Sequence, residues 1–183
     1  MKRQKENITL RPVTKDDAQL LTNWWNDGRV MEHAGFPNGL GQSVEETRRQ
    51  IENWGNSPGA FFIIEIDGVP VGETSFSLDG KATAYPGWKI CEASYQNLGH
   101  GPKLIRMLFD FIFSDKRTNE KIQVDKIFWD TTLDNRRAQH VYEEKLHACK
   151  VRIVKDAFID QLGNKRSAVE YEITREEFYG ASS

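Results

Sequence analysis

Apolar and polar residues alternate along ITLRPVT (Ile8 to Thr14), the period of a half-buried strand, and Pro12 marks a strand end or sheet edge. Thr14 and Asp17 form a pattern close to a capping box, after which Ala18, Leu21, Trp24 and Trp25 recur at helical spacing. The Gly- and Pro-containing stretch His33 to Gly41 predicts a loop. Ser43 and Glu46 form a second capping box, followed by a helix whose Val44, Thr47, Ile51 and Trp54 share one face. Ala60 to Asp67 and Val69 to Leu78 predict two strands joined at Asp67-Gly68, and Asp79-Gly80 is a further turn. Trp88 to Ser94 predicts the next strand, which feeds directly into SYQNLGHGPKLIRMLFDFIF. Within that stretch Leu104, Ile105, Leu108, Phe109 and Ile112 make one helical stripe. Lys126 to Thr132 predicts a strand, and Asp134 to His147 a helix with Ala138, Val141, Tyr142 and Leu146 on one face. Two strands, Lys150 to Asp160 and Lys165 to Ile173, close the chain around the turn Gln161 to Asn164.

The predicted order is β-α-α-β-β-β-α-β-α-β-β, with no internal repeat and no linker-like stretch. It implies a mixed α/β fold over residues 1–183 as one domain, a central sheet covered by helices on both faces. A chain of 183 residues is long enough to bury most of its apolar surface.

Composition narrows the function classes. Hydrophobic residues at 38% and charged residues at 28% suit a soluble globular chain. A net charge of −2 gives no support to a nucleic-acid partner. The basic N-terminus MKRQKEN is followed by no apolar core of a signal peptide, and the longest apolar run, Ala60 to Ile64, is far too short for a membrane span. The expectation is a cytoplasmic protein with no membrane partner. Cys91 and Cys149 are expected to be reduced, and His33, His100, His140 and His147 form no ligand cluster, so no metal is expected.

The chemistry concentrates in QNLGHG (Gln96 to Gly101). A strand that enters a glycine loop and then a helix leaves the first helical N–H groups unpaired, with the positive end of the helix dipole behind them. Phosphate suits such a place, since several short donors converge on it. Gly99 and Gly101 permit close approach and positive φ; Pro102 fits the first turn but removes a donor, and Lys103 adds charge. A tight turn would use the same glycines. A P-loop is excluded because no Gly-Lys-Ser/Thr occurs, and the Gln-x-x-Gly-x-Gly spacing does not fit a dinucleotide fold.

QNLGHG resembles the Q/R-x-x-G-x-G/A signature of the GNAT family of N-acetyltransferases, and NRRAQHVYEEKL (Asn135 to Leu146) resembles that family's N-x-x-A-x-x-x-Y helix. The opening ITLRPVTKDDAQLLTNWWND is similar to the branch holding ribosomal-protein N-terminal and aminoglycoside acetyltransferases. The resemblance implies a mostly antiparallel mixed sheet splayed between strands four and five. Acetyl-coenzyme A would lie in the wedge, its pyrophosphate on Gln96, Asn97, Leu98, Gly99, His100, Gly101 and Lys103. Its pantetheine would run beside Cys91, Glu92 and Ala93, whose N–H groups would contact it and the acetyl carbonyl, as an added strand would pair with a free edge. Asn135 would be a further contact, or an ordinary N-cap. No metal is implied, and a homodimer is left open.

Such enzymes transfer acetyl directly from thioester to amine. The amine must lose a proton, the oxyanion needs a donor, and the thiolate benefits from an acid. Tyr142, at the tyrosine of the helix motif and also a cofactor contact by the resemblance, is the candidate acid; its alternative is a core ring. Relatives often carry a glutamate where this chain has Pro86, so Glu92 and Glu73 become the candidate bases. Cys91 fits a small buried thiol better than a nucleophile. YEEKLHAC carries an extra residue and lacks the family's usual glycine, which predicts a distorted helix end. Trp24, Trp25, Phe36 and Trp54 would line an acceptor pocket or, as the stronger reading, pack the core. The function implied is N-acetylation of a primary amine on a small molecule or peptide N-terminus; the alternative is a catalytically silent acyl-coenzyme A-binding module.

Overall fold

The computed structural model describes residues 7–180. Seven strands form one sheet in the order β1-β2-β3-β4-β5-β7-β6. In sequence they are β1 (Ile8–Pro12), β2 (Gly59–Ile66), β3 (Val69–Leu78), β4 (Thr83–Ile90), β5 (Lys126–Thr132), β6 (Cys149–Ile159) and β7 (Lys165–Thr174). All neighbours are antiparallel except β4 and β5. The expected mixed sheet is thus present.

Helices cover both faces. On one, α1 (Ala18–Trp25), α2 (Gly28–Met31) and α3 (Val44–Gly55) bury Leu21, Trp24, Trp25, Met31 and Ile51 against Phe61 and Ile63 of β2. The α3 capping box forms as predicted, with the Ser43 amide donating to Glu46 Oε2 at 2.7 Å and the Glu46 amide to Ser43 Oγ at 3.3 Å. On the other face lie α4 (His100–Ser114), α5 (Arg136–His140) and α6 (Arg175–Gly180). Ile105, Leu108, Phe109 and Ile112 of the predicted α4 stripe are buried there with Ile127, Trp129, Val169 and Tyr171, and Leu104 is buried with Ile64, Ile66 and Val71. Trp24 and Trp25 are therefore core residues.

Three boundaries differ from the sequence expectation. β4 begins at Thr83 and ends at Ile90, where the pattern predicts a strand from Trp88 to Ser94, and Ala93–Tyr95 forms a 3-10 turn. Tyr85, Pro86 and Gly87 conceal the start, because the exposed Tyr85 and the breaker pair interrupt the apolar pattern. The short helices α2 and α6 carry too few turns to register as periodicity. Last, α5 passes at Val141 into a π turn, Val141–Lys145, in which the Leu146 amide donates to Val141 O at 3.1 Å. One extra residue per turn is what a π turn absorbs, so the additional residue of YEEKL is taken up there. His147 then adopts φ of 55° where the family's usual glycine would sit.

The strands β4 and β5 pair only at Thr83–Lys126 and Ala84–Ile127 and then separate. The sequence supplies a reason. The Cys91 amide donates to Val71 O of β3, so by strand alternation the backbone of Ile90, Trp88 and Pro86 faces the other way, toward β5. The first β4 amide beyond Ala84 on that side would be residue 86's, and proline has none. From Pro86 onward β4 is an edge strand on its β5 side, which is where proline is tolerated in a sheet.

Candidate active site

The wedge between β4 and β5 has aromatic walls. Trp88 of β4 and Trp129 of β5 lie 6.0 Å apart between ring centroids, and Tyr142 meets both edge-on at 5.7 and 5.6 Å. Tyr171 of β7 packs on Tyr142 at 5.2 Å and donates its hydroxyl to Glu143 Oε1 at 2.7 Å. The π turn swings Tyr142 into this cluster, where it is 6% exposed. Burial first, and then the charge of Asp130, push its hydroxyl well above the usual tyrosine range, so it stays protonated at any physiological pH. The indole N–H of Trp129 is buried with no acceptor among the described residues. An orphaned donor in the wall of an open wedge fits a polar ligand such as a pantetheine amide.

The backbone donors are arranged differently from the sequence expectation. The amides of Cys91 and Glu92 both donate to Val71 O, at 2.8 and 3.0 Å, so they brace β4 against β3 and face away from the wedge. On the side of β4 that faces the split, the backbone groups belong to Trp88 and Ile90 instead. The Ile90 carbonyl is partly engaged, accepting from Gln96 Nε2 at 2.8 Å. That bond ties the start of the glycine loop to the end of β4.

The loop itself is built for backbone approach. Asn97 and Gly99 take φ of 61° and 83°, and Gly99 is the N-cap of α4 with no side chain capping the helix. The first-turn amides are left for a ligand. Gly101 is helical, without the positive φ the sequence suggested; a Cβ there would meet nothing within 4 Å. Leu98 is 58% exposed, Lys103 is exposed, and His100 is buried beside Tyr95. Asn135 caps α5, accepting from the Ala138 amide at 3.2 Å, and donates to Thr131 Oγ1 at 3.1 Å.

Carboxylates gather on the face covered by α1 and α3. Glu73 of β3, nearly buried, accepts from Lys89 Nζ at 3.0 Å. Burial and then the Glu73 charge push the neighbouring Cys91 thiol far up, which removes it as a nucleophile. Glu92 accepts from Trp24 Nε1 at 2.7 Å, joining the end of β4 to α1. Asp130, exposed on β5, lies beside Glu170 across the β5–β7 pair; partial desolvation by the surrounding chain and then the Glu170 charge raise its carboxyl. Glu170 in turn accepts from Arg152 Nε at 2.6 Å. Asp130 escaped the sequence reading; its signal was an acidic residue at an outward position of a strand entering the Asn135 helix. Phe36, 39% exposed, sits in a loop clasped by the β6–β7 turn. There the Gln161 amide donates to Gly35 O at 2.8 Å, its Nε2 to Gly39 O at 2.9 Å, and its Oε1 accepts from the Asn38 amide at 2.9 Å. Among the described residues no group of three or more His, Cys, Asp or Glu could hold a metal, and no helix is long and apolar enough to cross a membrane.

Comparison with known proteins agrees with this geometry. The family model for the acetyltransferase (GNAT) domain matches residues 7–145. No curated protein matches the sequence. Among solved structures, spermidine N-acetyltransferase from Vibrio cholerae in complex with CoA and spermine superposes with a TM-score of 0.81 at 18% identity, over 94% of this chain and 98% of that one. Aminoglycoside acetyltransferase AAC(6')-Ib in complex with coenzyme A gives 0.75 at 23%, over 97% and 100%. The same enzyme with coenzyme A and kanamycin gives 0.74 at 22%, over 97% and 100%. The split sheet, the uncapped glycine loop and the matched domain together place this chain in the GNAT family of acetyltransferases, acyltransferase enzymes whose co-substrate is acetyl-coenzyme A.

Proposed function

We propose that this acetyltransferase moves the acetyl group directly to a primary amine of a small cationic molecule. The observation that carries the reading is the set of carboxylates Glu92, Asp130 and Glu170 on the acceptor face, where Lys89 is taken up by Glu73 and Arg152 by Glu170, leaving Glu92 and Asp130 with no ion pair among the described residues. An acceptor ammonium entering there meets excess negative charge, which favours a polycation over a peptide N-terminus. The solved neighbours with spermine and with kanamycin hold ligands of that chemistry.

In this reading the α4 amides beside Gly99, with Lys103, hold the pyrophosphate, and Asn135 flanks the pantetheine. The Trp88 and Ile90 backbone lines the thioester. Asp130, with its raised carboxyl, accepts the proton of the attacking ammonium directly or through one water; Glu92 and Glu73 stand nearer the α1 side. Tyr142 donates its proton to the departing thiolate. The two layers of helices share a single sheet, so the chain acts as one domain.

Thiol release from acetyl-coenzyme A across a panel of spermidine, an aminoglycoside and short peptides tests the reading. Turnover on the cationic small molecules is expected, with KM raised at least tenfold in Asp130→Asn. Preference for peptides, or tight cofactor binding with no thiol release on any acceptor, would overturn it.

A further inference from the structure

The wide end of the split is crossed by the chain that follows α1. Trp24 donates its indole N–H to Glu92 Oε1 at 2.7 Å, just past the end of β4. Further along, the 3-10 turn Glu32–Ala34 packs beside β5, with His33 near Asp134 beyond that strand's far end. The two strands pair only at Thr83–Lys126 and Ala84–Ile127, so both contacts stand where the gap is broadest. Residues 24–34 therefore span the mouth from one strand end to the other, on the face where the carboxylates gather.

The loop after this span, residues 35–40, is tied back to α1 and α2 at its two ends. The Phe36 amide donates to Met31 O at 3.1 Å and the Leu40 amide to Trp25 O at 2.8 Å. Between these ends the polar backbone is satisfied by a single residue from far along the chain. The Gln161 amide donates to Gly35 O, its Nε2 to Gly39 O, and its Oε1 accepts from the Asn38 amide. Unpaired, these loop groups would turn to water, and the loop would be free to lift.

The turn that carries Gln161 is stiff. Its neighbour Asp160 is 6% exposed, and its Oδ1 accepts from the amides of Leu162 and Asn164 at 2.9 Å each. Arg166 donates to Asp160 Oδ2 at 3.3 Å and also binds Asp134, the residue before Asn135. Phe158 of β6 closes against Gly35, where φ is 90° and a Cβ would lie 2.9 Å from Phe158 Cε2. The β6–β7 turn is thus fixed to the same corner of β5 on which the Glu32–Ala34 turn rests.

We infer that Gln161 is a specificity-determining residue of this acetyltransferase: its side chain latches residues 35–40, and with them the span across the mouth, over the path of the acceptor. The inference rests on the acceptor entering on the α1 face, as in the proposed function. Gln161 acts through the loop and touches no reacting atom. The loop presents Phe36, the one large apolar side chain that it leaves in solvent. Acetyl-coenzyme A, held by the glycine loop that opens α4 on the other face of the sheet, does not feel the latch.

Gln161 is exposed, so Gln161→Ala should fold; it keeps the backbone bond to Gly35 O and removes both side-chain bonds. Thiol release is measured with each substrate varied in turn, using whichever acceptor of the panel is turned over. Loss of two exposed side-chain bonds corresponds to roughly a fivefold rise in the acceptor KM. Both kcat and the KM for acetyl-coenzyme A should stay at their wild-type values, a split that a general loss of packing would not give. Amide hydrogen exchange on the full chain supplies a second readout: Asn38 should lose protection while Leu40, bonded to Trp25 O, keeps it. An acceptor KM that does not move, or two KM values that rise together, would overturn the inference. Unchanged exchange at Asn38 overturns it whether or not any acceptor is turned over, so its failure is separate from that of the proposed function.

Discussion

Replacing Tyr142 by Phe removes one hydroxyl and leaves the ring. The ring is what packs: its contacts with Trp88, Trp129 and Tyr171, at 5.7, 5.6 and 5.2 Å, are all available to phenylalanine. Loss of a single buried hydroxyl then changes stability by about 1 kcal/mol or less. The effect on rate is larger. A positioned general acid contributes roughly 10²- to 10⁴-fold. The low end applies, since burial and Asp130 raise the hydroxyl far above the pKa of a departing thiol, and a weaker acid transfers its proton late. We expect kcat to fall about 100-fold, or ~2.7 kcal/mol in the barrier. The affinity for acetyl-coenzyme A should hold. The assay is thiol release at saturating acetyl-coenzyme A and acceptor, with calorimetric cofactor binding and a thermal melt on the same preparation. An intact melt with wild-type kcat would refute the role and leave Tyr142 as a core ring. The raised hydroxyl adds a second check: wild-type kcat should show no decline from tyrosine ionisation between pH 8 and 10.

Three further outcomes follow from local geometry. In Gly72→Ala the new Cβ would lie 2.1 Å from Lys89 O and 3.0 Å from Ile90 Cα, both backbone, so the end of β4 must move. A loss of more than about 3 kcal/mol is expected, with a raised KM for acetyl-coenzyme A in any folded fraction; a melt within 2 °C of wild type, where about 2 °C is less than 1 kcal/mol, would contradict the packing. Iodoacetamide should label the exposed Cys149 and spare the buried Cys91, and Cys91→Ala should keep its turnover; peptide mass mapping and the thiol assay read these out. Burial alone would raise the Asp17 carboxyl, but bonds from Arg11 and Thr14 outweigh it and hold the carboxyl below the usual range. Its contribution is therefore present above the unfolded value near pH 4 and is lost as pH falls through the folded value. Asp17→Asn should cost about 1–2 kcal/mol at pH 7, with the gap closing toward pH 3 in urea titrations, since Arg11 is partly exposed. An unchanged gap would deny the linkage.

The sequence exposed the fold where one periodicity ran long enough. The α4 stripe from Leu104 to Ile112 and the strands around Asp67-Gly68 emerge with nearly their observed bounds. β4 was half hidden because its outer face is wet at Tyr85 and its next residue is a proline. The site divides in the same way. The glycine loop and Asn135 are local in sequence and could be read there. The Trp24–Glu92 bond spans 68 residues, and the Glu73–Lys89 pair depends on the β3–β4 register, so neither leaves a local trace. The direction of the Cys91 amide, toward Val71 O, leaves no local trace for a related reason: one residue of strand phase decides which neighbour receives it. Asp130 was legible only as an outward acid on β5, since its proximity to Glu170 comes from a strand some forty residues later.

Pro86 also bears on how fast the enzyme captures its co-substrate. A sheet able to zip shut when empty would place open and closed forms in equilibrium, and the closed fraction would lower the apparent affinity and add a slow phase to binding. Here the closed form would lack its first ladder bond beyond Ala84, so the empty wedge stands open. Association should then run as a single exponential whose rate rises linearly with acetyl-coenzyme A concentration, limited by encounter and not by strand opening.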